Sequence, residues 1–231
     1  RKELHNHCYQ RRTNWLPGGG IAAGFGKSYP RVLRTDHRTA GGEYMNHVGT
    51  QQLETSRLIL RKFRIKDAPI MFQNWANDPE VTRYVTWLPH GKVSVTQSLL
   101  EEWTARYSEP DTYHWCIVDK NRKEAIGDIS VVRISERDSC CEIGYCLSRQ
   151  FWGQGIMTEA YSAALKFLLE TVGFHRVEAK HVDENPASGK VMKKCGMLFE
   201  GISRKAIHLL SDQSYHDLEN YAILLEDWTA K

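Results

Sequence analysis

The sequence predicts a mixed α/β domain in which a mostly antiparallel sheet is flanked by helices. Segments with strand-like patterns of apolar residues outnumber the helical patterns. Three of these strands follow one another between short polar turns, as in an antiparallel meander. The clearest amphipathic helix comes directly after the meander, and another strand follows that helix.

The first half of the pattern contains two helices and the meander. Leu58 to Phe63 reads as a strand. Asp67 is a favourable N-cap for a helix that Asn77-Asp78-Pro79 ends near Ala76. Val93 to Tyr107 has the apolar spacing of a second helix. The strands of the meander are Tyr113 to Asp119, Ala125 to Ile134 and Cys140 to Leu147.

The second half alternates helices and strands and then ends in a hairpin. Met157 to Val172 places its apolar residues on one face, and Gly173 follows as a helix terminator. A strand from Arg176 to Val182 precedes a helix closed by Gly196. This helix runs from Pro186 to Cys195, and the hairpin strands are Phe199 to Leu209 and Asp217 to Leu225.

Length and composition bound the class of protein. With 231 residues, of which 41% are hydrophobic, the chain can form one domain with a sizeable core. No apolar run approaches the ~20 residues that span a bilayer, and no secretory signal is recognisable. The six cysteines include no Cys-x-x-Cys pair, which favours reduced thiols. We therefore expect a cytoplasmic protein that neither contacts a membrane nor binds a metal.

The first 44 residues differ from the rest of the chain. They contain seven of the 17 glycines and show little periodicity. They also hold eight of the 31 Lys/Arg but only three of the 28 Asp/Glu, so residues 45–231 carry a net charge of −2, which does not favour nucleic-acid binding. We expect residues 1–44 to be disordered or foreign to the natural protein, because codons for Gly41 to Met45 can form a ribosome-binding sequence before a start codon. Residues 45–231 would then be a single domain.

The most informative stretch runs from Gln150 to Ala160. Gly153 and Gly155 stand between the strand ending at Leu147 and the helix beginning at Met157. Glycine lets a ligand approach the main chain closely, and a helix N-terminus offers unpaired N–H groups at the positive end of its dipole. The junction therefore indicates a phosphate-binding turn. A tight turn without a ligand is the alternative.

Five motifs in a fixed order give the chain a resemblance to a known family. Gln150 to Gly155 fits the pattern Gln/Arg-x-x-Gly-x-Gly/Ala. It overlaps one of the five motifs, which are Glu54 to Arg61, Glu142 to Tyr145, Trp152 to Ala160, Asn185 to Ser188 and Tyr215 to Asp217. From about Leu53 to Trp228 the chain resembles the GNAT superfamily of N-acetyltransferases. Within it, the RimJ/RimL-type enzymes, which acetylate protein N-termini, are the most similar. The resemblance implies a GNAT-like mixed sheet and acetyl-CoA as the co-substrate.

The resemblance also implies which residues hold acetyl-CoA. Main-chain N–H groups of the turn would bind the pyrophosphate, and the fourth of the strands predicted above would pair with the pantetheine arm. The residues assigned to co-substrate binding are Tyr145, Cys146, Leu147, Gln150, Gly153, Gln154, Gly155, Ile156, Met157, Thr158, Asn185 and Ser188. The alternatives are ordinary sheet packing and helix capping by Asn185 or Ser188.

Two side chains are assigned to catalysis. Glu142 is the candidate general base, because it shares a strand face with Gly144 beside the implied thioester. The alternative is a surface carboxylate that forms an ion pair with Arg133. Ser188 would stabilise the leaving thiolate by hydrogen bonding, and Tyr221 is an alternative proton donor.

The acceptor is expected to be a primary amine, first of all a protein N-terminal α-amine. RimL-type enzymes carry an acidic residue after a Lys/Gln-Ala pair, whereas Lys205-Ala206 is followed here by Ile207 and His208, so acceptor specificity has diverged. A polyamine, an aminoglycoside or an amino-acid analogue is the alternative acceptor. An acyl-CoA-binding module and a nucleotide-binding regulator are the alternatives to an enzyme. The protein is expected to be a monomer or a homodimer.

Five aromatic residues either line the acceptor pocket or pack helices on the sheet. They are Trp75, Tyr84, Trp87, Trp103 and Tyr107.

Overall fold

The computed structural model describes residues 45–230. The segment 1–44, which we expect to be disordered or foreign, therefore lies outside the described residues, as does Lys231. Within the described part of the chain, no helix is both long enough and apolar enough to cross a membrane.

Within residues 45–230, the chain forms eight strands and five α-helices. The strands are β1 (Leu53–Glu54), β2 (Leu58–Arg61), β3 (His114–Asp119), β4 (Glu124–Ser135), β5 (Cys140–Leu147), β6 (Arg176–Val182), β7 (Leu198–Leu209) and β8 (Ser214–Leu224). The helices are α1 (Ala68–Met71), α2 (Val93–Ala105), α3 (Ile156–Lys166), α4 (Pro186–Lys194) and α5 (Leu225–Thr229). Stretches of π-helix extend α1 over Phe72–Ala76 and α3 over Phe167–Val172. Short 3₁₀ helices cover Ile65–Asp67, Thr82–Tyr84, Arg106–Ser108 and Arg149–Phe151.

The strands form one sheet in the order β1-β2-β3-β4-β5-β6-β8-β7. Every neighbouring pair is antiparallel except β5 and β6, which are parallel. This arrangement confirms the predicted fold class, a mixed and mostly antiparallel sheet flanked by helices.

The register of β4 against β5 is interrupted by a bulge. Val131 is opposite Ile143, but Arg133 rather than Val132 is opposite Glu142. Val132 is therefore the extra residue on the bulged strand. Further along, β4 approaches β5 so closely at Gly127 that a Cβ there would lie 2.4 Å from the Cys146 carbonyl oxygen.

Helices cover the two faces of the sheet with separate apolar clusters. The larger cluster joins α3 to the sheet and includes Leu60, Trp115, Ile117, Ile143, Tyr161 and Leu165. The second cluster joins α1 and α2 to the opposite face and includes Met71, Trp75, Leu100 and Cys116, with Trp103 and Tyr107 packed against it. Because side chains alternate along a strand, even-numbered residues of β5 share the face on which α1 and α2 lie.

Several local expectations require correction. The β1 strand and helix α5 are additional elements, and β8 begins at Ser214 rather than Asp217. Asp67 does not cap α1 with its side chain. Its carboxylate instead accepts hydrogen bonds from both Nη atoms of Arg61, at 2.7 and 2.8 Å, and from the Arg64 N–H. The Asp67 carboxylate therefore binds Arg61 instead of capping α1.

Candidate active site

A gap opens between β5 and β6. The two strands are paired only from Cys140 to Glu142 on β5, whereas β6 continues to pair with β8 as far as Val182. The Ser148 N–H donates to the Ile126 carbonyl of β4. Since backbone groups alternate in direction along a strand, those of Tyr145 and Leu147 are directed toward the gap.

Because of this alternation, the three backbone positions assigned to the co-substrate do not all face the gap. The Cys146 carbonyl points at Gly127 of β4, as the short distance to a Cβ there requires. Tyr145 and Leu147 thus remain as candidates for pairing with an extended ligand. The Leu147 carbonyl already accepts a hydrogen bond of 2.8 Å from the indole N–H of Trp152.

The side chain of Tyr145 crosses the gap on the α3 side. Its hydroxyl lies 2.5 Å from Ser188 Oγ and donates to the Ser188 carbonyl at 3.2 Å. Its ring packs edge-on against Tyr161 of α3, with centroids 5.4 Å apart. Burial raises the pKa of Tyr145, although the hydrogen bond with Ser188 opposes this change. The phenol therefore stays protonated at neutral pH and can serve as a hydrogen-bond donor.

The glycine turn has the geometry that a bound anion needs. Gly153 and Gly155 both adopt φ of +73°, a left-handed conformation that favours glycine. They are exposed, and Gly155 is the N-cap of the 11-residue helix α3. The side chains of Ile156 and Met157 are buried in the core, so only their main chain can meet a ligand.

Gln150 and Gln154 fasten this turn to its surroundings. The Gln150 side-chain oxygen accepts a hydrogen bond of 2.9 Å from Arg122, in the connection between β3 and β4. The Gln154 side chain donates to the Gln150 carbonyl at 2.7 Å. Both glutamines thus hold the shape of the turn, so its exposed main chain, rather than these side chains, can meet a ligand.

A second anchor reaches the turn from the β1–β2 connection. Glu159, in the first turn of α3, accepts hydrogen bonds from the hydroxyls of Thr55 and Ser56 and from the Arg57 main chain. The Arg57 side chain contacts the same carboxylate at 2.6 Å and the Gln154 carbonyl at 3.0 Å. Burial opposes ionisation of Glu159, but the hydrogen bonds from these three residues outweigh it and lower its pKa to about 2. We call these four residues the Arg57 clamp.

Glu142 lies on the other face of β5, beside the last paired residue of β6. Its Oε2 contacts Lys180 Nζ at 2.9 Å and Arg133 Nε at 3.3 Å. The predicted alternative, an ion pair with Arg133, is therefore present, and Lys180 is an additional partner. The ion pairs on this face link six side chains in a row: Lys180, Glu142, Arg133, Glu178, Arg176 and Glu200.

A surface cavity of about 420 Å³ continues from this row toward the edge of the sheet. Its lining includes Arg176, Lys180, Glu200, Ser203 and Asn220. Three cations and three carboxylates make up the row, so the open face beside Glu142 carries charges of both signs in balance. A ligand on this face meets neither a strongly acidic nor a strongly basic surface.

Asn185, Tyr221 and His208 form contacts that stabilise the fold. The Asn185 side chain accepts a hydrogen bond from the Ser188 N–H at 3.4 Å, so it caps α4. Tyr221 is buried and donates to Glu219 at 2.9 Å. His208 is exposed and packs edge-on against Tyr215. The capping alternative is thus observed for Asn185, and Tyr221 is held in the core by packing and by Glu219.

The connection between α1 and α2, which contains aromatic residues expected near an acceptor, contacts two other parts of the chain. Asp78 in this connection contacts Arg149, just after β5, at 3.0 Å. The Arg83 carbonyl, five residues further, accepts a hydrogen bond of 2.7 Å from Ser211 in the β7–β8 turn. Trp75 is completely buried, whereas Trp87 is only partly buried and packs against His90. Among the aromatic candidates, Trp87 is therefore better placed than Trp75 to meet an acceptor.

One group of side chains outside the gap has the composition of a metal site. Ligand atoms of Asp183, Glu184 and His216 lie within 4.8 Å of one another. Both ring nitrogens of His216 already contact carboxylates, Nδ1 that of Glu184 at 3.3 Å and Nε2 that of Asp212 at 2.8 Å. These contacts satisfy the imidazole without an ion.

The arrangement can support acyl transfer across the gap. The exposed turn can hold a phosphate, the edge of β5 can orient an extended arm, and the Ser188 hydroxyl, held by Tyr145, can donate a hydrogen bond to a leaving sulfur. Glu142 stands on the opposite face, where an attacking amine would give up its proton. The motifs contain Tyr145, Arg57 and Glu159 but not Lys180, and the sequence alone does not indicate the contacts that these four residues make.

Comparison with known proteins agrees with this geometry. A model of the acetyltransferase (GNAT) domain matches residues 57–198. The chain is similar to the N-acetyltransferase p20 of Bacillus licheniformis, with 32% identity over 154 residues that cover 67% of this chain and 86% of that protein. It is also similar to the ribosomal protein uS5-alanine N-acetyltransferase of Escherichia coli (strain K12), with 27% identity over 194 residues that cover 80% and 97%.

A solved structure shows the same fold. The microcin C7 self-immunity acetyltransferase MccE, in complex with acetyl-CoA and AMP, matches with a TM-score of 0.66 and 20% identity, over 74% of this chain and 93% of that chain. At this identity the match establishes architecture alone. The family model and the relatives establish more, and they confirm the resemblance derived from the motifs. The chain belongs to the GNAT family and is an acetyl-CoA-dependent N-acetyltransferase.

Proposed function

We propose that this enzyme acetylates the α-amine of a protein N-terminus. The observation that carries the proposal is the balanced row of charges in which Glu142 lies. The Glu142 carboxylate already accepts hydrogen bonds from Arg133 and Lys180, so the site favours an amine that is partly neutral before it binds. An α-amine has a pKa of about 8, so roughly a tenth is neutral at pH 7, whereas a lysine amine near 10.4 is almost entirely protonated. A carboxylate already engaged by two cations therefore suits the α-amine better than a lysine amine.

The same row argues against polycationic acceptors. A polyamine or an aminoglycoside would be favoured by a strongly acidic surface. On the face beside Glu142, Arg133, Arg176 and Lys180 balance the carboxylates. One of the relatives is named as a ribosomal-protein alanine N-acetyltransferase, which supports an N-terminal acceptor. An acceptor of this kind would place the enzyme in the cytoplasm.

In the proposed reaction, the neutral amine nitrogen forms a bond to the acetyl carbon while the carbon–sulfur bond of the thioester breaks. The amine proton passes to Glu142, directly or through water. The leaving sulfur receives hydrogen bonds from Ser188, whose Oγ is in turn held by the Tyr145 hydroxyl at 2.5 Å. The main chain of Gly153 to Thr158 and the edge of β5 hold the co-substrate in place.

A turnover screen tests the acceptor. Peptides beginning with Ala, Ser or Met, their N-terminally blocked counterparts, spermidine and an aminoglycoside would each be assayed with acetyl-CoA. We expect turnover of free peptides only, with lysine side chains of the blocked peptides left unmodified. Preferred turnover of spermidine or of the aminoglycoside would refute the α-amine proposal and favour a small-molecule enzyme.

A substitution at Glu142 separates catalysis from binding. Glu142→Gln should lower kcat by about 10–100-fold because the proton acceptor is lost, while the Kd for CoA should stay unchanged. Absence of turnover by the wild-type protein with every amine, together with tight CoA binding, would instead favour an acyl-CoA-binding module. A thermal-shift panel of CoA, NAD and ATP checks the donor independently, and only CoA should stabilise the protein.

A further inference from the structure

We propose that Arg57 is a positioning residue for the donor. Through the Gln154 carbonyl it fixes the orientation of the Gly155 amide, and thereby the affinity for the pyrophosphate-bearing half of acetyl-CoA. The inference rests on the family's use of acetyl-CoA and on the geometry of the turn. It is independent of the proposed N-terminal acceptor.

The guanidinium of Arg57 is held by two different groups. Its Nε donates to Glu159 Oε2 at 2.6 Å, and its Nη1 donates to the Gln154 carbonyl at 3.0 Å. Because the guanidinium is planar, contacts at two of its nitrogens fix its orientation. Its Nη2 reaches within 3.7 Å of where a Cβ on Gly155 would lie. The side chain thus borders the glycine turn directly.

The contact with the Gln154 carbonyl determines where the next N–H points. The described residues contain no cis peptide bond. In a trans peptide the C=O of Gln154 and the N–H of Gly155 point in opposite directions. Arg57 draws the carbonyl toward β2, so the Gly155 N–H is directed away from Arg57. This N–H belongs to the unpaired amides at the start of α3, where an anion is favoured.

The peptide between Gln154 and Gly155 must be held in place, because glycine can adopt another backbone conformation at little cost. Gly155 has φ of +73°, and glycine populates both signs of φ at little cost. If the peptide between Gln154 and Gly155 rotated, a carbonyl oxygen would replace the N–H beside the phosphates. A carbonyl dipole would repel the anion that the N–H attracts. The hydrogen bond from Arg57 opposes this rotation.

Arg57 acts through geometry rather than through net charge. Its positive charge is paired with Glu159, whose pKa of about 2 keeps the carboxylate ionised at neutral pH. The pair leaves little excess charge to attract phosphates. A lysine at position 57 would keep the charge but lose the planar group that meets Glu159 and Gln154 together. Lysine should therefore fail to replace it.

The test compares a full donor with one that lacks the nucleotide and the pyrophosphate. Isothermal titration calorimetry with CoA should give a Kd about tenfold higher for Arg57→Gln than for the wild type, as expected for loss of one oriented hydrogen bond. Arg57→Lys should show a similar increase. The KM for acetyl-CoA should rise by the same factor with kcat unchanged, and kcat/KM for S-acetylpantetheine should not change.

Arg137→Gln is the matched control. Arg137 is a highly exposed arginine in the β4–β5 turn, paired only with its neighbour Asp138 among the described contacts. The change removes the same charge as Arg57→Gln and should leave the Kd for CoA unchanged. Circular dichroism and thermal unfolding would verify that each variant is folded, and Arg57→Lys carries the test if Arg57→Gln does not fold.

Three results would overturn the inference. The first is an unchanged Kd for CoA in folded Arg57→Gln, or in folded Arg57→Lys if the glutamine variant does not fold. The second is an equal loss of kcat/KM with acetyl-CoA and S-acetylpantetheine, which would indicate a general structural defect. The third is wild-type affinity in Arg57→Lys, which would indicate simple charge attraction. The CoA titration needs no acceptor, so failure of the α-amine proposal would leave these expectations standing.

Discussion

Gly189 lies in helix α4, one residue after Ser188, and the space beside its Cα is too small for a methyl group. A Cβ at this position would lie 2.5 Å from Nε2 and 3.1 Å from Cε1 of His181. The His181 ring is almost fully buried, and its Nδ1 donates to the Val182 carbonyl at 2.8 Å. It also stacks on Tyr221, with centroids 5.5 Å apart. The ring therefore cannot withdraw without losing these contacts.

We predict that Gly189→Ala destabilises the protein despite the preference of helices for alanine. Replacing glycine by alanine in a helix interior gains about 1 kcal/mol, whereas forcing a methyl group into a filled core costs about 1–3 kcal/mol. A separation of 2.5 Å is far below the ~3.5 Å of an optimal contact, so the cost should be near the upper end. The net loss should be about 1–2 kcal/mol, or roughly 3–6 °C in Tm.

Differential scanning calorimetry of a double-mutant cycle measures this effect. His181→Ala should lower Tm by itself, but Gly189→Ala should cost much less in that background, because the ring that it meets is absent. We expect a coupling energy of about 1 kcal/mol or more between the two positions. A Gly189→Ala variant at least as stable as the wild type, with additive effects in the double variant, would refute the reasoning.

Other predictions concern the clamp, the thiols and the β4–β5 contact. Glu159 has a folded pKa of about 2 against an ordinary value of 4.5, so its stabilisation is complete above about pH 5 and is lost as the pH falls toward 2. Glu159→Gln should therefore lower the stability at pH 7 by about 1–2 kcal/mol after solvent screening, and a Tm difference that did not narrow by pH 4 would contradict this. Burial raises the pKa of the Cys116 and Cys141 thiols, so iodoacetamide at pH 8 should label them only after denaturation, as peptide mass spectrometry can show. Gly127→Ala should separate β4 from β5 near the Cys146 carbonyl. The variant should unfold at a lower temperature and bind CoA less tightly, and unchanged CoA affinity in the folded variant would argue against the assigned edge of β5.

Local sequence signals predicted most of the fold. The strand Cys140–Leu147 was predicted with its observed bounds, because apolar residues alternate between clear turns. The helix after Gly155 ends at Gly173, which adopts φ of +87° as a terminating glycine does. By contrast, β1 has two residues and α5 has five, too few for any period to emerge.

The candidate site was less predictable where it depends on distant parts of the chain. Glycines reveal a turn in the sequence, but nothing local indicates that Arg57 meets Glu159 across 102 positions. Lys180 lies on β6 and Glu142 on β5, and only the parallel pairing of these strands brings the two charges together. The sequence pattern identifies Tyr145 only as a residue of a strand. Its hydroxyl meets Ser188 because helix α4 packs over the gap.

The bulge at Val132 decides which side chains of β4 face the core. Before it, Val131 points toward the cluster under α3, and after it Ile134 does so too, although the two positions differ by three. If β4 alternated strictly through Val132, without the bulge, Arg133 would face that apolar cluster and Ile134 would face water. A regularly paired β4 would thus deprive Glu142 of one cation and bury a charge at the same time. A single inserted residue in a neighbouring strand thereby fixes the electrostatic setting of the candidate base.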